Sequence, residues 1–260
     1  MEGDQSTAIE KDLRQIADML LLNGTLTECP GLAHGKMGIA VFFFHYALYT
    51  GNELFADYAM DLMGEMLNQL HVNSPADYEK GIAGIGVGID YLIRRDFLKV
   101  EEDICEDFDG RMVRAVRYDP CPDFSLYKGL TGYGRYWISR LRYPAPSVQA
   151  RECLLRILAL MNERLPEIPE TEQADVYCFL HDLHLVGFDV AADNYPSLRD
   201  QCRYFNDVRQ DKMNAALAQI PDLDREKPPA STGLLNGYAG EGMLRLTALN
   251  QADRSWMQLL

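Results

Sequence analysis

Four times along the chain, two glycines stand three residues apart at the head of an apolar run. The copies are Gly35-Lys36-Met37-Gly38, Gly81-Ile82-Ala83-Gly84, Gly129-Leu130-Thr131-Gly132 and Gly237-Tyr238-Ala239-Gly240. Glycine inside a helix costs about 1 kcal/mol against alanine. Repeated glycines in helix-forming runs therefore point to places where another backbone or a ligand comes close. With Gly187 taken as a fifth marker, the second glycines fall at 38, 84, 132, 187 and 240. That is a period of about fifty residues, the length of one helix hairpin. Such hairpins cannot bury both faces alone, so they stack or close into a ring.

The segments alternate in character. The first glycine-led run is apolar on nearly all sides (Val41, Phe42, Phe43, Phe44, Tyr46, Leu48), which predicts a buried inner helix. The next segment places Leu54, Tyr58, Leu62, Met66 and Leu70 four apart, leaving its other face polar, which predicts an outer helix. Residues 148–165 repeat the outer pattern, and 176–192 read as an inner helix without the double glycine. Gly86 and Gly88 add further small sites to the second inner run. No strand-like alternation of useful length occurs. The reading is all-α: residues 1–260 as a single domain of about five inner/outer hairpins.

Charge narrows the function. A formal net charge of −14 leaves no basic stripe to neutralise phosphates or an anionic membrane surface, so neither nucleic acid nor membrane is an expected partner. The longest apolar stretch, 39–48, is too short to span a bilayer. Cys29, Cys105, Cys121, Cys153, Cys178 and Cys202 are scattered without a CxxC, as reduced thiols of a cytoplasmic protein are. The acidic start, Met1 to Gln5, has no secretory n-region or h-region. P-loop, GxSxG and HExxH signatures are absent.

The segments Gly31-Leu32-Ala33-His34-Gly35-Lys36-Met37-Gly38-Ile39 and Leu234-Leu235-Asn236-Gly237-Tyr238-Ala239-Gly240-Glu241-Gly242 resemble the lanthionine synthetase C (LanC-like) family. The first matches its Ala-His-Gly segment and the second its last inner helix. The resemblance spans roughly residues 30–255 and implies an α/α toroid of inner and outer hairpins. Family cyclases have further hairpins before the Ala-His-Gly segment, where this chain has one helix. It resembles the C-terminal part of the toroid, either as a smaller ring or as an incomplete one. An open edge would favour a homodimer that seals it.

The resemblance also implies a chemistry. Family cyclases bind zinc through a cysteine of a Cys-x-Gly segment and an adjacent Cys-His before another glycine. The zinc makes the substrate thiol a thiolate, and the Ala-His-Gly histidine serves as acid or base. Here His34 matches that histidine. Glu79 stands two before Gly81, and Tyr127 and Lys128 stand before Gly129, in place of the metal ligands. A lysine ammonium repels a metal ion, so no cofactor is expected at the family's site.

His34 has two readings: a general acid/base at the mouth of the ring, or a side chain that ties neighbouring inner helices. Glu79, Lys80, Tyr127, Lys128 and His34 would converge on one mouth if the ring closes, with Asn236 at the matching place in the last repeat. They would bind an anionic or peptidic ligand, or pair among themselves. A second cluster, Cys178, His181 and His184, falls three apart on a helix and offers an alternative zinc site. The carboxylate pairs Asp77/Glu79 and Asp119/Asp123 leave a hydrolase open. The expected function is a divergent LanC-like protein associated with peptide modification. It would be non-catalytic, binding a peptide substrate or precursor peptide in the bowl. The alternatives are a cyclase with relocated zinc, a hydrolase on the same fold, or a scaffold pairing through an open edge.

Overall fold

The computed structural model describes residues 2–100, 103–142, 148–164, 167–188, 196–218, 220, 223 and 231–260. The Pro-rich break at 143–146 and most of the 221–231 loop lie outside them. Ten α-helices and a closing 3-10 helix make up the described secondary structure, with one isolated bridge between Ser231 and Gly237. The chain is all-α, as its periodicities predict. The helices are α1 (Glu2–Asn23), α2 (Lys36–Thr50), α3 (Leu54–Gln69), α4 (Ile82–Arg94) and α5 (Glu106–Arg117). They are followed by α6 (Leu130–Leu141), α7 (Val148–Arg164), α8 (Glu170–Leu185), α9 (Pro196–Ala218) and α10 (Tyr238–Ala248). The 3-10 helix spans Arg254–Leu259. No helix among the described residues is long and apolar enough to cross a membrane.

The glycine-led helices α2, α4, α6 and α10 are the buried ones; Lys36 to Ala47 of α2 are all buried. Helix contacts run in a closed circuit: α2 to α4, α4 to α6, α6 to α8, α8 to α9, α9 to α10 and α10 back to α2. Helices α1, α3 and α7 pack from outside on α10, α2 and α6, while α5 packs on α4, α6 and α7. Buried cations tie inner helices to outer ones. Lys36 meets Glu65 of α3 at 2.5 Å, Arg140 meets Asp109 of α5 at 2.9 Å, and Arg245 meets Asp12 of α1 at 3.1 Å. Each cation lies almost wholly out of water, so its carboxylate offsets a large desolvation cost.

Two sets of glycines serve two kinds of approach. A Cβ on Gly38, Gly84, Gly132 or Gly240 would lie 2.0–2.4 Å from the carbonyl oxygen six residues earlier. There the loop entering each helix folds back over the glycine. Two residues on, Gly86, Gly134 and Gly242 receive an aromatic ring from the next inner helix: Tyr136, Phe179 and Phe42 respectively. The extra glycine at 86 is thus a helix–helix site.

That register corrects the fourth repeat. Phe179 takes the place on Gly134 that Tyr136 takes on Gly86, which aligns Asp175, not Gly187, with the second glycines. Gly187 instead lies just past α8 with φ 71°, the left-handed turn that ends a helix. The inner helix accordingly runs from 170 to 185 rather than 176 to 192.

Candidate functional site

The starts of the inner helices form one rim. Helix N-termini leave backbone N–H groups without partners, and no side chain caps α2, α4, α6 or α10. The incoming loop does so instead. The N–H groups of Lys36, Ile82, Leu130 and Tyr238 donate to the carbonyls of Cys29, Pro75, Asp123 and Ser231 at 2.9–3.0 Å, each seven residues back. The loops are then joined to one another. Leu235 N–H donates to the Ala33 carbonyl (2.8 Å), Ala33 N–H to Glu79 (3.2 Å), and Tyr78 and Glu79 N–H to Tyr127 (both 3.0 Å). Helix α8 extends the belt with carboxylates: Glu172 accepts from Phe124 N–H and Asp175 from Leu126 N–H, both at 2.8 Å. The helix starts are therefore occupied by protein and offer no anion cradle.

The rim residues singled out by sequence fall into two groups. His34 Nε2 lies 3.4 Å from Glu79 Oε1, and Lys80 Nζ lies 3.9 Å from the same oxygen. His34 Nδ1 is buried without a hydrogen-bond partner among the described residues. Glu79, Lys80 and Lys128 line a cleft of about 360 Å³ with Asp77 and Tyr133. Glu79, Lys80 and Lys128 thus share one cleft, with His34 set against Glu79. Tyr127 joins through its backbone carbonyl, while burial pushes its phenol up to about 12. Asn236 does not join them. It has φ 52° in the loop before α10 and lines a separate cavity of about 520 Å³ with Trp256, Met257, Phe205 and Met213.

The donor set at the family's zinc positions does not fit that metal. Tyr127 stays a neutral phenol, Lys128 brings a positive charge, and the Glu79 carboxylate faces His34 and Lys80. Nor are Cys178, His181 and His184 brought together on one cavity. Cys178 lines the 520 Å³ cavity, His181 lines another, and His184 is exposed. Burial raises the Cys178 thiol, which keeps it protonated. Among the described residues no three His, Cys, Asp or Glu side chains form a metal-holding group. Cys29, close to the rim, is likewise raised by burial.

The cavity that His181 lines was not foreseen from sequence. It measures about 650 Å³ and is walled by α4, α6, α8, α9 and the 3-10 helix. Arg94, Arg95, Arg135, Arg142 and Arg209 all line it. The pattern held a signal: Arg94 and Arg142 each stand ten residues after the second glycine of their motif. The 3-10 helix is held by partners from around the circuit. Tyr78 donates to the Leu259 carbonyl (2.9 Å), Arg135 to Gln258 (3.0 Å), and Trp256 Nε1 to Thr247 Oγ1 (2.9 Å). The Arg135 guanidinium also lies over the Tyr78 ring, 5.7 Å from its centre.

Comparison of the chain with protein-family models, with curated proteins and with solved structures finds no match in any of the three.

Proposed function

We propose that the chain is a LanC-like helical-ring protein that binds a peptide at the rim of its inner helices and carries out no metal-dependent thiol chemistry. The observation that carries this reading is the pairing of two unlike cavities around the inner-helix starts. The cleft of Glu79, Lys80 and Lys128 presents both signs of charge, and the cavity beside Asn236 sets Trp256, Met257, Phe205 and Met213 beside Asp175, Arg209 and Lys212. A peptide supplies backbone amides and mixed side chains, which suit that combination better than a uniformly polar or apolar ligand would. His34 fits a positioning role. Its Nε2 faces Glu79 across the boundary between two repeats, and the resemblance supplies the only reason to give it a proton-transfer role.

The test is selection from a displayed library of random dodecapeptides on the purified protein, followed by fluorescence-anisotropy titration of the enriched sequences. Saturable binding that weakens about tenfold in both Glu79→Ala and Lys128→Ala is the expected result. Enrichment no greater than on an unrelated helical protein, or binding indifferent to both substitutions, would overturn the reading. Circular dichroism establishes that the variants remain folded.

A further inference from the structure

The 650 Å³ cavity carries a charge opposite to that of the molecule around it. The chain as a whole holds a net −14, yet five arginines line this one space. Arg94 Nε pairs with Asp90 at 2.9 Å, and Arg95 with Asp253 at 2.5 Å. Asp182 serves two arginines, Arg209 at 3.0 Å and Arg135 at 3.7 Å. Among the described residues the Arg142 side chain makes no ion pair or hydrogen bond. Burial and the nearby Arg94 charge work against its protonated form and outweigh the attraction of Asp90 and Asp182. Five cations against three carboxylates leave a net excess of two positive charges.

The helix architecture does not account for this. Arg94, Arg95 and Arg142 stand where α4 and α6 end, and the partial negative charge of a helix C-terminus attracts cations. Arg135 and Arg209, however, lie within α6 and α9, and no side-chain bond from Arg94, Arg95 or Arg142 to a terminal carbonyl is seen among the described residues. A guanidinium carries five N–H donors in a fixed fork that matches carboxylate and phosphate oxygens. The supply of donors here exceeds that of acceptors. The volume suits a small molecule rather than a polymer, and walls of four helices and the 3-10 helix exclude a duplex.

We infer that this cavity is a binding site for a small dianion, a phosphate monoester. Its charge of about −1.5 to −2 at neutral pH matches the two unbalanced guanidinium charges. Three oxygens on one phosphorus would let Arg142 and its neighbours bind in the bidentate manner that guanidinium favours. The inference is independent of peptide binding at the rim.

Calorimetric titration of the full chain with phosphoserine, inorganic phosphate and serine tests it. Saturable binding of one phosphoserine per chain is expected, at least tenfold tighter than serine. Inorganic phosphate distinguishes the source: equal affinity would assign the site to the free ion, and weaker affinity to the ester. Arg142→Ala, whose side chain holds nothing in place, is expected to weaken binding about tenfold. Arg156→Ala, an exposed arginine of α7 outside this cavity, is expected to leave it unchanged. Arg95→Gln gives a second variant if the first fails to fold, with melting in chloride as the check. The proposal is overturned if neither phosphorylated probe saturates the protein, or if both arginine variants bind as the parent does.

Discussion

The two ends of the inner helices differ in what they leave unsatisfied. At the starts, carbonyls seven residues back take up helix N–H groups, and the loops bond to one another in a belt from Leu235 to Asp175. At the ends, guanidinium groups outnumber their carboxylates. The repeated residues thus hold each repeat to its neighbour. Non-repeated or partly repeated ones, such as Arg135, Arg209 and Asp182, build the charged cavity. What recurs in a repeat protein reports its packing, and what breaks the recurrence is where a ligand site is to be sought.

The sharpest way to break the comparison is at the rim. A Cβ on Gly84 would meet the Tyr78 carbonyl at 2.0 Å, and backbone cannot yield as a side-chain tip can. Gly84→Val is expected to destabilise the fold by about 3 kcal/mol, read as a lowered urea midpoint. A variant as stable as the parent would mean the loop does not lie over the helix as described.

The next effect connects the core to the charged cavity. His45 is 1% exposed, its Nε2 2.7 Å from the hydroxyl of Tyr91, which lines the cavity. Burial, then the Arg95 charge, lowers its pKa from 6.5 to about 4. The folded state therefore resists the proton that the unfolded chain accepts. The neutral core is at full strength above pH 6.5, and stability falls as pH drops from 6.5 towards 4. At 1.36 kcal/mol per unit the loss approaches about 3 kcal/mol. Urea unfolding across that window is expected to show a steeper decline in the parent than in His45→Phe, and equal slopes would refute the assignment.

The smallest effect has the opposite sign. Gly110 in α5 is exposed, and a Cβ there would meet nothing within 4 Å. Gly110→Ala is expected to raise stability by up to about 1 kcal/mol, measurable as a higher melting temperature. The contrast with Gly84 separates glycines kept for space from one that is merely tolerated.

Much of the fold was legible because it rests on local periodicity. The four-residue spacing through Tyr58, Leu62, Met66 and Leu70 and the all-round apolar run from Val41 to Phe44 each need one neighbour to make sense, while Leu54 at the head of that spacing is exposed. The fourth repeat was misregistered because its chemistry changes while its task does not. Glu172 and Asp175 reach for neighbouring N–H groups where the other repeats have glycines lying under carbonyls. No glycine count can find that exchange. His34 and Glu79 were legible as neighbours because both precede a motif glycine. The arginine cavity was hidden because its side chains come from 94, 142 and 209, and only the assembled helices bring them together. The 3-10 helix carried no periodic signal beyond an apolar Trp256.

That last element has a consequence for the order in which the molecule forms. The Tyr78 hydroxyl and the Leu259 carbonyl are 181 residues apart, and α1 packs on α10. Joining such distant segments costs loop-closure entropy before any contact rewards it, and topologies rich in such pairs fold slowly. During synthesis the first nine helices emerge while α10 and residues 254–259 are still missing. The apolar face of α1 and the inner wall around Tyr78 are then uncovered. A nascent chain in that state exposes the surfaces on which chaperones act and aggregation begins, and the arrival of α10 and the 3-10 helix ends that exposure.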